Sequence, residues 1–102
     1  MTIHHPNSIL EIATLQVISD QTNAFLKNFS QAEKIISRQP GYLSHHLLRK
    51  TDPENHFILL VSWESVSAHK EGFRKSKDYQ EWKALLHHFY DPFPSVDYYT
   101  DR

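Results

Sequence analysis

The run Phe57-Ile58-Leu59-Leu60-Val61-Ser62-Trp63-Glu64 is apolar on both faces of any strand it forms, and this limits the folds open to the chain. In an extended strand, alternate side chains point to opposite faces. Phe57, Leu59, Val61 and Trp63 therefore share one face, and Ile58 and Leu60 the other. A chain of 102 residues has room for one core, so its helices can cover only one of the two faces. The uncovered face would be an apolar patch larger than a monomer tolerates. A second copy of the chain is the expected cover.

The remaining sequence reads as alternating strands and helices. Ile9 to Ile18 reads as a strand with two mostly apolar faces, Ile9/Glu11/Ala13/Leu15/Val17 and Leu10/Ile12/Thr14/Gln16/Ile18. Asp20 is a candidate N-cap for a helix whose apolar stripe is Phe25, Phe29, Ala32 and Ile36. Pro40-Gly41 ends that helix and reverses the chain. Tyr42 to Lys50 and His56 to Trp63 are predicted strands. The turn Thr51-Asp52-Pro53-Glu54-Asn55 joins them as an antiparallel hairpin. Ser65 can cap a short helix ending near Gly72 to Lys75. Ser76 can cap another, with Tyr79, Trp82, Leu85, Leu86 and Phe89 on one face. Asp91-Pro92-Phe93-Pro94 cannot continue it, and Ser95 to Thr100 alternates as a last strand. The expected class is α+β: a ferredoxin-like βαββαβ plan, with a four-stranded antiparallel sheet and helices on one face. Two such sheets face to face make a dimeric α/β barrel. A tail over residues 1–8 and a single domain over 9–102 complete the expected organisation.

Composition closes several functional classes. A net charge of −1 leaves no electrostatic footprint for nucleic acid or an anionic membrane surface. The third strand also lacks the basic-Gly-aromatic pattern that stacks RNA bases on this plan. With no cysteine there is no disulfide, thiolate nucleophile or Cys-based zinc site, which fits a reducing compartment. Met1 to Asn7 lacks a basic-then-apolar signal pattern, and no apolar run approaches ~18 residues. A cytoplasmic protein is expected. Eight histidines are the anomaly, and six form the pairs His4/His5, His45/His46 and His87/His88. Neighbours on a strand point to opposite faces, and on a helix they diverge by ~100°. His45/His46 and His87/His88 therefore cannot chelate one ion, and no metal is expected.

Several segments together resemble the antibiotic biosynthesis monooxygenase family of small dimeric α/β-barrel oxygenases. They are Pro40-Gly41-Tyr42, Val61-Ser62-Trp63-Glu64-Ser65, the helix carrying His69, Phe73 and Ser76, and the run from Tyr79 to Pro94. The resemblance spans Ile9 to about Tyr99 and implies a cavity between helices and sheet in each subunit. Some members oxidise polycyclic phenols, anthrones or quinols without a cofactor, and others bind and open haem. The haem-opening members carry a catalytic tryptophan and, ten residues on, an axial histidine. Those positions fall here on Gly72 and Trp82, and a family asparagine in the first strand falls near Ile12. The resemblance therefore implies chemistry without a cofactor, with haem disfavoured.

His69 shares a helix face with Val66 and Phe73 and points at the sheet. It reads either as a core histidine satisfied by a carbonyl, or as a general base kept neutral by an apolar cavity. Cofactor-free oxygenation needs a base, because a substrate anion passes an electron to dioxygen more readily than the neutral phenol. Trp63 and Trp82 read as core, or as flat catalytic walls with an indole N–H donor. Phe73, Arg74, Tyr79 and His88 are the candidate substrate-binding residues, while His87 is expected to face solvent. Two functions follow. One is a monooxygenase acting on a small aromatic, phenolic or quinol-type substrate. The other is a non-catalytic dimeric module for a small hydrophobic ligand or a partner protein.

Overall fold

Four strands, Ile9–Gln16 (β1), Tyr42–Arg49 (β2), His56–Trp63 (β3) and Val96–Thr100 (β4), fall where the alternation places them. A computed structural model describes residues 8–102 and pairs the strands in the order β2-β3-β1-β4. Every pairing is antiparallel, so the ferredoxin-like α+β class holds. Of the expected tail, all but Ser8 lies outside the described residues, including His4 and His5.

The register decides which side chains meet. Ile9 lies opposite Trp63, Glu11 opposite Val61, Ala13 opposite Leu59 and Leu15 opposite Phe57. Tyr98 and Val96 of β4 join Glu11 and Ala13 on that face, and His45 and Leu47 of β2 join Val61 and Leu59. Helix Thr22–Ile36 (α1) buries Phe25, Phe29, Ala32, Ile35 and Ile36, and helix Lys77–Leu86 (α2) buries Trp82 and Leu86. These side chains form one core with the inner residues of β1 and β3. Each large apolar side chain so buried contributes about 1.5–3 kcal/mol.

The serine caps behave as the sequence suggests. The Ser65 hydroxyl accepts the Ala68 N–H at 3.1 Å, and that of Ser76 accepts the Tyr79 N–H at 3.2 Å. Asp20 does not cap α1. It lies in a 3-10 turn, Ser19–Gln21, and Gln21 at the cap position makes no side-chain bond. The Thr22 hydroxyl donates to the Ser19 carbonyl at 3.3 Å and holds this extra turn in place.

After Pro40, Gly41 adopts φ +84°, a conformation open to glycine at little cost. It also sits against Ala68: a Cβ at Gly41 would lie 2.6 Å from the Ala68 Cβ. The Glu64 N–H donates to the Gly41 carbonyl at 2.8 Å, tying this turn to the end of β3.

The opposite sheet face carries no helix. Leu48, Ile58 and Tyr99 are 49%, 39% and 52% exposed there. Leu60, expected to be bare, is buried within the chain. It occupies the centre of the sheet between Ile12 and His46, where neighbouring side chains close around it.

Candidate active site

Glu11 is the one charged residue on the inner face of β1, and the strand's alternation turns it into the core. The residue is 5% exposed. Trp63, at the end of β3, is fully buried and donates its indole N–H to Glu11 Oε1 at 2.8 Å. A π-helical turn over Ala68–Phe73 delivers His69 and Phe73 to the same region. Its signature is the Arg74 N–H donating to the His69 carbonyl at 2.9 Å, an i to i−5 bond. Such wide turns are rare and recur at functional sites. His69 Nε2 lies 3.5 Å from Glu11 Oε1, and Nδ1 lies 2.5 Å from the Tyr98 hydroxyl of β4. The result is one chain of polar groups, Trp63–Glu11–His69–Tyr98, drawn from three strands and a helical turn.

Electrostatics keep this chain neutral below about pH 7. Burial pushes the Glu11 carboxyl up to about 7, against smaller opposing effects of the Trp63 hydrogen bond and the Arg74 charge. Burial, helped by Arg74 and Lys70, lowers His69 to about 4. The Glu11–His69 contact is thus a meeting of neutral partners up to about pH 7 rather than an ion pair. Burial and the nearby Glu11 also raise the Tyr98 phenol.

A cavity of about 200 Å³ opens on this chain. Glu11 and His69 supply its polar depth beside Ala13, Leu15 and Leu59. Phe73, Tyr79 and Trp82 wall one side, packed edge to face with Phe73 between the other two at 5.2 and 5.6 Å. Arg74, His87, Phe93 and Pro94 also line it, and Arg74 and Phe93 are exposed there. Tyr90 and Val96 lie along the remaining wall.

Of the candidates from sequence, His69, Trp82, Phe73, Arg74 and Tyr79 therefore converge on one cavity. Trp63 and His88 do not line it. Trp63 lies behind Glu11, fully buried, as its hydrogen-bond donor. His88 is exposed, and His87 lines the cavity in its place. The reason is local: α2 ends at Leu86, whose φ of −122° breaks the helix, and a 3-10 turn follows over His87–Phe89. The tighter winding of that turn rotates the pair away from the α-helical reading. Glu11 is not among the candidates from sequence, although a lone carboxylate on an otherwise apolar strand face is its signal.

A second constellation of the same three residue types lies on the other side of Trp63. The Tyr42 hydroxyl is 2.6 Å from His45 Nδ1, and His45 Nε2 is 3.1 Å from Glu33 Oε2. Here the Glu33 side chain is 44% exposed. His45 and His46 face opposite sides of β2, as strand geometry requires. Among the described residues, no group of three or more His, Cys, Asp or Glu could hold a metal ion. No helix among them is long and apolar enough to cross a membrane.

Known proteins share the fold. Uncharacterized protein YczJ of Bacillus subtilis is 44% identical over 93 residues, covering 91% of this chain and 98% of the relative. A Bordetella bronchiseptica structure carrying the antibiotic biosynthesis monooxygenase description superposes with a TM-score of 0.89 at 29% identity. That match covers 94% of this chain and 98% of the other. SnoaB, a cofactor-independent oxygenase from Streptomyces nogalater, shares the fold with a TM-score of 0.82 at 19% identity, over 94% of each chain. The sequence model of one family, antibiotic biosynthesis monooxygenase, matches residues 8–85. From the inner face of β1 to the cavity-lining face of α2, the chain belongs to the antibiotic biosynthesis monooxygenase family.

Proposed function

We propose that the protein is a cofactor-independent monooxygenase that oxidises a small phenolic or quinol-type aromatic, and that it works as a homodimer. The observation that carries the reading is a buried carboxyl with a pKa of about 7, facing an aromatic-walled cavity beside a neutral imidazole. A general base is most effective when its pKa lies near the working pH. Glu11 meets that condition better than His69 at about 4. Glu11 therefore takes the phenolic proton. His69, held by Tyr98 at Nδ1, faces the carboxyl through Nε2 and orients it.

The chemistry needs no external reductant. The phenolate passes one electron to dioxygen, and the phenoxyl–superoxide pair recombines with formation of a C–O bond. Loss of the ring proton and cleavage of the O–O bond then release water and leave the quinone. Phenol plus dioxygen gives quinone plus water, and the substrate supplies all four electrons. Glu11 returns its proton to the departing hydroxide.

Haem does not suit these residues. Trp82 stands where the axial histidine would be, and an indole offers iron no lone pair. Ile12 lies opposite Leu60, on the sheet face away from the cavity.

Oxygen uptake with a hydroquinone or a naphthol tests the reading. The wild type should consume dioxygen, and Glu11→Gln should not, while remaining folded. Binding without any uptake would instead establish a non-catalytic ligand-binding module. The exposed Leu48, Ile58 and Tyr99 face supports the dimer. Sedimentation should give twice 12.1 kDa, and Ile58→Asp should give the monomer. A wild-type monomer at micromolar concentration removes the dimer.

A further inference from the structure

The cavity has a charge asymmetry that phenol oxidation alone does not use. Arg74 lines it, exposed, and the Arg74 guanidinium sits 6.0 Å from the centre of the Tyr79 ring. The carboxylates nearest in sequence are already engaged. Glu71 is held by Lys75 at 2.5 Å, and Asp78 receives two bonds from Arg38 at 3.1 Å and one from Gln39 at 2.8 Å. Among the described residues, Arg74 makes no ion pair within 4.0 Å. The carboxyl whose titration it does influence is Glu11, which holds its proton up to about pH 7. Lys70 acts on His69 and Lys83 on His87, so further positive charge surrounds the cavity. A guanidinium presents a planar fork of donors matched to a carboxylate.

Size supplies the second constraint. About 200 Å³ lies below the roughly 300–1,000 Å³ of sites that take drug-sized ligands. Packed between Phe73, Tyr79 and Trp82, that space suits one or two fused rings and excludes four.

Resting on the oxygenase reading for the role of the hydroxyl, we propose that this site selects a one- or two-ring hydroxyaromatic carboxylate. The acid group sits on Arg74, the ring lies against the wall formed by Phe73 and Trp82, and the hydroxyl points at Glu11 and His69. Arg74 is a specificity-determining residue that fixes which end of the ligand enters first. It delivers the phenol, rather than the carboxylate, to the depth of the cavity.

Isothermal titration under anaerobic conditions tests this with two matched pairs: 4-hydroxybenzoate against phenol, and 6-hydroxy-2-naphthoate against 2-naphthol. The acid of at least one pair should bind about ten- to a hundredfold more tightly, the scale of a charge-assisted hydrogen bond. Arg74→Gln should erase that preference by weakening the acid while the neutral partner changes little. Arg74→Lys should restore part of it. Equal affinity for acid and neutral ligand, an unaltered preference in Arg74→Gln, or no binding by any of the four overturns the proposal. So does tighter binding of a three- or four-ring phenol. Oxygen uptake keeps the two readings separable. Acid-selective binding without turnover leaves this inference standing and removes the oxygenase, whereas turnover of phenol and naphthol with no preference for acids does the reverse.

Discussion

The two Glu–His–Tyr constellations are built from the same side chains at similar distances, and they differ in access to water. In Glu11–His69–Tyr98 the carboxyl and imidazole side chains are 7% and 6% exposed; in Glu33–His45–Tyr42 they are 44% and 16%. Water reaches Glu33, so its contact with His45 is screened and contributes little. Glu11 has no such relief, and burial holds its proton at pH values where a carboxyl has ordinarily lost it. The two copies share residue types and hydrogen-bond geometry, and burial is what distinguishes them.

The largest effect that would break this comparison is on turnover. Glu11→Gln keeps size and hydrogen bonding but removes the base, so oxygen uptake should fall ~10²–10⁴-fold. Glu33→Gln should leave it essentially unchanged. Comparable losses in both variants would end the argument from burial. The pH profile sharpens the assignment: kcat/KM should rise with pH and level off above a midpoint near 7 if Glu11 accepts the proton. A midpoint near 4 would return the role to His69.

Stability against pH gives the next effect. The folded state binds the Glu11 proton more tightly than the unfolded chain does. Its contribution is complete below about 4.5 and is lost as pH rises to about 7, on the order of 3 kcal/mol. His69 acts in the opposite sense: its contribution is complete above about 6.5 and is lost as pH falls toward 4. The two oppose each other between about pH 4.5 and 6.5, so the wild type should be nearly flat there. Urea unfolding of Glu11→Gln should expose the histidine alone, with stability climbing over that window.

Smaller still is the support behind each carboxyl. Trp63→Phe removes the donor to Glu11 and leaves a small void, at a cost of about 1–3 kcal/mol by urea unfolding. It should also move the pH–rate midpoint upward, because the Trp63 hydrogen bond favours the charged carboxylate. Tyr42→Phe, which removes the hydroxyl beside His45 in the exposed motif, should cost about 0.5–1.5 kcal/mol and leave that midpoint in place.

Much of the fold was legible because period and punctuation agree. The Phe25, Phe29, Ala32, Ile36 stripe is buried as spaced, and the Ser65 and Ser76 caps form. Two misreadings share one cause, the short 3-10 turns that shift phase between elements. One displaced Asp20 from the cap of α1, and another exchanged the expected sides of His87 and His88. His69 and Phe73 could be placed because a helical face is a local property. Glu11 could not be given its role so easily. Its desolvation arises from Trp63, His69 and Tyr98, which lie far away in sequence and meet it only through register and the π turn.

The contact between Gly41 and Ala68 ties the reactive group to a bend remote from it in sequence. Ala68 opens the π turn that carries His69, and it rests directly against a backbone with no side chain. Any larger residue at position 41 would have to push that turn outward before the imidazole could reach Glu11. The spacing of the Glu11–His69 pair is thus written partly in a methyl group that is missing. A library that varies only the residues lining the cavity would leave untouched one of the positions that sets its depth.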